Sequence, residues 1–539
     1  MSIVAAPWRR LLHPPHRKAS PNIDSLLRSC SGISHILQIH AFMIHRTLDQ
    51  NNFILARFVD CCSAMGFPDY GYSLFARKSR PNIHLWNAAM KALDLSPARS
   101  PEVVHLFNKI RPADLTPDTY SFPFVLKAVV RLSDFQLGRG IHRQAIGAGL
   151  ALDANVATAL VDMYSKLGHI SDAGKLFDEI PVRHVASWNA MVAGYTKSGD
   201  MDSAQKLFEE MPERNVISWT ALITGYARMN RSREAVAMLC RMLEFEVRLK
   251  PNDVTMLAAL SACADLGALE AGRWIHHYID ERGLSKTIPL SNALINMYAK
   301  SGDIQMALNL FDVMDVRSVV TWTTVIDGLA HHGLGREALE MLFQMERAHV
   351  RPNEVTFTAI LSACNNVGLV KIGLGFFNGL SSRYGIKSRV EHYGCVVDLL
   401  GRSGYLQMAL GFVRGMPFEA SASIWGALLA AARTYGSPEL AEYAFQHLSK
   451  LEPNNGGNYM VLSGIYSDFG MLDEASTVRE AVSDAMVTAA VGGSSIEVNS
   501  TIHEFITGNI SHPQYEKICV VIGQMNCHCA FSSVPVMWV

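Results

Sequence analysis

ALINMYAKSGDIQMALNLFDVMD, residues 293–315, is the stretch from which the fold is read. It recurs as ALVDMYSKLGHISDAGKLFDEIP at 159–181, as AMVAGYTKSGDMDSAQKLFEEMP at 190–212 and as CVVDLLGRSGYLQMALGFVRGMP at 395–417. Each copy spaces its apolar residues at helical intervals on both sides of a central glycine, Gly168, Gly199, Gly302 or Gly404, which predicts two short helices. Glycine suits the left-handed backbone that ends a first helix. Five residues later comes Ala173, Ala204, Ala307 or Ala409, small enough for two helices to cross closely. An apolar pair such as Leu176-Phe177 or Leu310-Phe311 follows, and Pro181, Pro212 and Pro417 stop the second helix. A helix pair repeated roughly every thirty residues cannot bury its apolar face alone, so the copies must stack. The predicted fold is all-α, a solenoid of helix-turn-helix repeats.

Tryptophans extend the register outward. Trp86, Trp188, Trp219, Trp322 and Trp425 open equivalent helices, spaced by about 103 residues with one interval of about 31. Each larger unit therefore holds three kinds of helix pair: one opened by tryptophan, one carrying GRGIH (138–142) or GRWIH (272–276), and one with the pattern quoted first. After residue 420 the texture changes to two further helix pairs, and SSIEVNSTIHEFITG (494–508) alternates as a small hairpin does.

Composition narrows the class. Of 539 residues, 49% are hydrophobic and 18% charged, which suits a continuous core between layers and argues against disorder. No apolar run approaches the roughly 18 residues of a membrane span, so a soluble chain is expected. Forty-eight Lys+Arg face 49 Asp+Glu, a net charge of −1, which argues against coating nucleic acid through bulk charge. Shape, base contacts or a local basic groove must do that work if any nucleic acid is bound. The ten cysteines contain no C-x-x-C, and Cys30, Cys263 and Cys364 are assigned to one repeat position as small, buried, reduced side chains in a reducing compartment. Residues 1–19 hold Arg9, Arg10, Arg17 and Lys18 before the first acid, Asp24, as an organelle transit segment does. Few hydroxyls (Ser2, Ser20) favour the mitochondrion, with the chloroplast as alternative.

The helix starts Ser187-Trp188-Asn189, Ser218-Trp219-Thr220 and Thr321-Trp322-Thr323, the GRxIH element, the MYxKxG and LFxxMP blocks and HYGCVVDLLGRSG (392–404) together resemble the pentatricopeptide-repeat (PPR) proteins of plants. The resemblance is to the subclass that cycles P, L and S repeat types and ends in E motifs. WGALLAAARTYGSPELAEYAFQHLSKLEPN (425–454) and YMVLSGIYSDFGMLDEASTVR (459–479) are similar to the E motifs, and SHPQYEKI (511–518) to the extension called E+. It implies a right-handed α-solenoid superhelix, tetratricopeptide-like, with degenerate repeats at 20–82, a repeat array at 83–420, E motifs at 421–487, a degenerate E+ extension at 488–526 and an irregular tail at 527–539.

The resemblance also implies sequence-specific binding of single-stranded organellar RNA, most often to direct editing of cytidine to uridine, with one repeat addressing one base through its fifth and last residues. Those pairs are Asn87 with Asp118, Thr158 with His184, Asn189 with Asn215, Thr220 with Asn252, Asn292 with Ser318, and Thr323 with Asn353. By the family's code they favour U, a purine, a pyrimidine, A, C and A, from 5′ to 3′. Ile217 and Val320, at the second position, are expected to pack between bases. Pro123 and Leu257, at fifth positions of intervening repeats, cannot make polar base contacts. The competing explanation is that these Asn and Thr residues only cap their helices.

No catalytic constellation accompanies the repeats. A cytidine deaminase needs H-x-E and P-C-x-x-C to hold zinc, whereas here His503-Glu504 lacks the spacer and Cys527-His528-Cys529 is too tight. No P-loop, H-E-x-x-H or G-x-S-x-G is present. The histidines of GRGIH and GRWIH are read as structural rather than metal ligands. The expectation is therefore a protein that is not an enzyme, needs no cofactor or metal, and recruits a DYW-type cytidine deaminase and editing-complex proteins in trans. RNA stabilisation, processing or splicing without editing is the alternative, and a protein-binding helical scaffold is the third reading.

Overall fold

The computed structural model describes residues 23–245, 249–284, 287–484, 493–498 and 501–506, with 515, 517, 518, 520 and 521. Among these residues are 28 α-helices, from Ile23–Arg28 to Leu472–Asp484, and one antiparallel hairpin, Gly493–Val498 paired with Thr501–Ile506. The hairpin falls where the alternating pattern places it. The transit segment expected at 1–19 and the tail at 527–539 lie outside the described residues, as does most of the extension at 488–526 beyond that hairpin.

The chain forms two compact units, residues 1–229 with 241–250, and 230–240 with 251–539. In the first, the opening helices of successive repeats, Ala154–Lys166, Val185–Ser198 and Val216–Arg228, pack side by side, and each of the first two also packs against the second helix of its own repeat. The same stacking runs through Asp253–Leu266, Ile288–Lys300, Val319–His331, Glu354–Val367, Val390–Arg402 and Ala422–Tyr435 in the second. Each unit is thus an α-solenoid stack.

The quoted pattern accounts for the local geometry. Gly168, Gly199, Gly302 and Gly404 all have positive φ, from 82° to 96°, as the helix-ending turn requires. Ala173, Ala204, Ala307 and Ala409 are fully buried at the crossings. Trp188, Trp219 and Trp322 stand edge-on to Phe177, Phe208 and Phe311 of the preceding helix, with ring centroids 5.0, 4.7 and 4.7 Å apart.

An arginine completes each of these joints. The guanidinium groups of Arg183, Arg214 and Arg317 lie 4.7, 5.0 and 4.5 Å from the same phenylalanine rings, while each Nε donates to the phenylalanine carbonyl at 3.0 Å. A cation thus satisfies the free carbonyls at a helix C-terminus and covers the aromatic core in one contact.

The histidines of the GRxIH elements are structural here. His142 Nδ1 lies 2.8 Å from Tyr164 Oη, and His276 Nδ1 lies 2.9 Å from Tyr298 Oη. Gly138 and Gly272 let those helices close on Met163 and Met297. Cys263 and Cys364 are fully buried free thiols, and burial pushes Cys364 up to about 11. Cys30 is also buried but lies beyond the end of Ile23–Arg28. The residue equivalent to Cys263 and Cys364 is Cys62 on Asn52–Ala64, so the assignment of Cys30 to their repeat position is corrected. No helix among the described residues is long and apolar enough to cross a membrane.

Candidate nucleic-acid interface

The last residue of each repeat and the fifth residue of its opening helix differ in local role. Asn215, Asn252 and Asn353 cap the next helix, their side-chain oxygens accepting from the backbone of Ser218, Thr255 and Thr356 at 3.1, 2.9 and 3.0 Å. Ser318 does the same for Thr321 at 3.2 Å. Capping therefore explains these four last positions, whereas His184 makes no side-chain cap. It does not explain the fifth, which lie a full turn inside the helix. Thr158 and Thr220 donate to the carbonyls of Ala154 and Val216, each at 2.6 Å, a bond that serves none of the helix-start N–H groups.

Several of the predicted pairs meet. Asn87 Nδ2 donates to both carboxylate oxygens of Asp118, at 2.9 and 3.0 Å, and Asn189 Nδ2 donates to Asn215 Oδ1 at 3.2 Å. Thr323 reaches Asn353 through one intermediary: its hydroxyl lies 2.8 Å from that of Thr356, which donates to Asn353 Oδ1 at 2.9 Å. Thr158 bonds to Ser187 at 3.1 Å, while its expected partner His184 is exposed. Ser318 is taken up by its cap, and Asn292 Oδ1 is buried with no hydrogen-bond partner. Thr220 and Asn252 belong to different compact units.

Ile217 and Val320 are 61% and 58% exposed, unusual for β-branched residues on the first turn of a packed helix. Tyr120, Val254 and Val355 occupy the same second position and are equally open. Sequence reasoning passed over these three, although the same three-residue offset from Pro123, Leu257 and Thr358 identifies them.

In the first unit a groove of about 730 Å³ gathers four predicted residues, Thr158, His184, Asn189 and Ile217, with Tyr120 and Pro123 beside them. Lys166 also lines it, held by Asp162 at 2.8 Å. Basic residues recur in the last turns of the opening helices as Arg131, Lys166, Lys197 and Arg228. Cations are favoured there by the helix dipole, and Arg131, like Lys166, is ion-paired, with Asp94 at 2.7 Å. Among the described residues, no group of three or more His, Cys, Asp or Glu is placed to hold a metal ion.

Comparison with known proteins adds the following. Residues 156–185, 186–216, 217–247 and 291–319 match the PPR repeat, 317–366 the PPR repeat family, and 435–497 the E motif. The chain is 46% identical over 508 residues to pentatricopeptide repeat-containing protein At5g56310 of Arabidopsis thaliana, a match spanning 94% of this chain and 96% of the relative. It is 32% identical over 516 residues to the Arabidopsis pentatricopeptide repeat-containing protein CRR2, chloroplastic, spanning 94% and 74%. Among solved structures, it is similar to the pentatricopeptide repeat protein PPR10 from maize, with 18% identity over 87% of this chain and 73% of that one and a TM-score of 0.43.

Proposed function

The chain belongs to the pentatricopeptide-repeat family, and from that premise we propose that it is a sequence-specific single-stranded RNA-binding protein that marks particular organellar cytidines for editing to uridine. The observation that carries this reading is the pairing of fifth and last residues, Asn87 with Asp118 and Asn189 with Asn215, into fixed polar groups, with Asn189 lining a groove. A solenoid needs only apolar residues there. Amide, hydroxyl and carboxylate groups held in register read the Watson–Crick edges of unstacked bases, while Ile217, Val320 and their equivalents pack against the base faces. Because the readers are already bonded to one another, little side-chain entropy is lost when RNA arrives.

The repeats supply the address and a deaminase recruited in trans supplies the chemistry. Support for that second half comes from the E-motif region, where Met460, Phe469 and Leu472 are at least half exposed. Apolar side chains so placed suit a protein partner. The composition of residues 1–19 favours the mitochondrion, and relatives named chloroplastic support an organelle of either kind. A role in RNA stabilisation or processing without editing is favoured by one observation: Val491-Gly492-Gly493-Ser494-Ser495 lacks the Pro and Trp usual in relatives with an E+ extension.

Sequencing mitochondrial and plastid transcripts from plants with and without the protein tests both readings. The expected result is loss of editing at one or a few cytidines, each preceded by U, purine, pyrimidine, A, C, A with gaps. Unchanged editing with altered transcript abundance would move the conclusion to RNA processing. The double variant M460E/L472E is expected to bind RNA normally in vitro and to fail to restore editing in such plants.

A further inference from the structure

A third side chain joins the paired readers, and it belongs to the next repeat. Ser121, Ser187, Ser218 and Thr356 each stand at the third position of a repeat, on or at the start of its opening helix, and are 1% exposed or less. Each hydroxyl bonds the fifth residue of the repeat before it: Ser121 to Asn87 at 2.8 Å, Ser187 to Thr158 at 3.1 Å, Ser218 to Asn189 at 2.7 Å and Thr356 to Thr323 at 2.8 Å. Three of the four also touch the last residue of that repeat, Asp118, Asn215 and Asn353, at 2.9, 3.1 and 2.9 Å.

The donors and acceptors fix the amide orientation at Asn189. The backbone N–H of Ser218 donates to the side chain of Asn215, so the atom it meets is the amide oxygen. The atom of Asn189 facing that oxygen must then be the nitrogen, which turns Asn189 Oδ1 towards the Ser218 hydroxyl. One N–H of Asn189 and the amide nitrogen of Asn215 remain for a base. Asn87 is held the same way, since Asp118 only accepts and Ser121 takes the amide oxygen. Asn292 lacks the arrangement: the Thr321 hydroxyl bonds Ser318 at 3.0 Å, and Asn292 Oδ1 has no partner.

We propose that the buried hydroxyl at the third position of a repeat is a positioning residue for base recognition by the repeat before it, setting which edge of the fifth-position side chain faces the RNA. The inference rests on the base-reading function proposed above. Its test uses the full chain and short RNAs that differ at single nucleotides, with affinity read by fluorescence anisotropy. Asn189→Ala and Asn215→Ala first locate the nucleotide whose identity they make indifferent. Ser218→Ala is then expected to reduce base discrimination at that nucleotide by about fivefold, the equivalent of one net hydrogen bond, and to leave discrimination at the Asn87/Asp118 nucleotide unchanged. Ser218→Thr keeps the hydroxyl, as Thr356 does, and is expected to retain discrimination.

A folded S218A protein with full discrimination, beside an N189A protein that has lost it, would overturn the positioning role alone. If N189A and N215A also leave every preference intact, base reading at this repeat fails and the inference falls with it. Should S218A not fold, S121A is read in the same way against the Asn87/Asp118 nucleotide.

Discussion

His142 shows how a single residue ties stability to pH. Burial lowers its pKa, with Glu179 opposing, and burial likewise lowers His40. A histidine depressed in the folded state stays neutral there while the unfolded chain takes up a proton. Its contribution to stability is complete above about pH 6.5, the ordinary histidine value, and is lost as pH falls towards the depressed folded value. The melting temperature is therefore expected to fall between about pH 7.5 and 5.5, and to fall less in H142Q, which cannot titrate. Equal slopes for the two proteins would refute this role. The repeated GRxIH element identified this histidine as structural, but its partner Tyr164 lies in the next repeat. Only the packing of helix Phe135–Gly147 against Ala154–Lys166 brings the two together.

Among elements, the opening helices pack so closely that some glycines cannot be replaced. A Cβ on Gly225 would stand 2.7 Å from Thr196 Cβ and 3.0 Å from Met201 Cε, and a β-branched threonine on a helix has little freedom to yield. G225A is expected to destabilise the protein by about 1–3 kcal/mol. At Gly140, inside helix Phe135–Gly147, an added methyl group would meet nothing within 4 Å, so G140A is expected to stabilise by about 0.5–1 kcal/mol. Denaturant unfolding of both variants checks the pair, and a shared sign would contradict the close-approach argument. Helix pairs, their turns and their crossings were legible because apolar periodicity and the glycine turn are local signals. The Phe-Arg-Trp joint was not. Arg183, Arg214 and Arg317 look like ordinary surface charges until their guanidinium groups are seen on the phenylalanine rings of the helix just ended.

For the whole molecule, a net charge of −1 bears on how RNA binding responds to salt. Single-stranded binding weakens with log-log slope of about −0.7 for each phosphate neutralised, so engagement of about four phosphates by helix-end cations such as Lys166, Lys197 and Arg228 predicts a slope near −3. A slope steeper than about −6 would mean that bulk charge governs binding. Of the candidate site, the pairs Asn87–Asp118 and Asn189–Asn215 were legible, because a fifth residue and the cap of the following helix sit at fixed offsets once the register is known. Hidden from that counting were the separation of the capping last residues from the fifth ones and the hydroxyls that bond both. A serine at the third position reads as one more helix-start residue, and its second bond runs to the preceding repeat.

That bond also determines where such a protein can be cut and rejoined. By count Ser218 opens one repeat, and by contact it completes the one before. A chimera spliced at Asn215 therefore inherits the hydroxyl of whichever recipient follows, and under the proposed base reading a transplanted repeat is expected to keep its preference only if that recipient also offers Ser or Thr. With the seam placed beyond Trp219, the donor's Asn189, Asn215 and Ser218 travel as a single cassette, offset by one helical turn from the repeat as the sequence counts it.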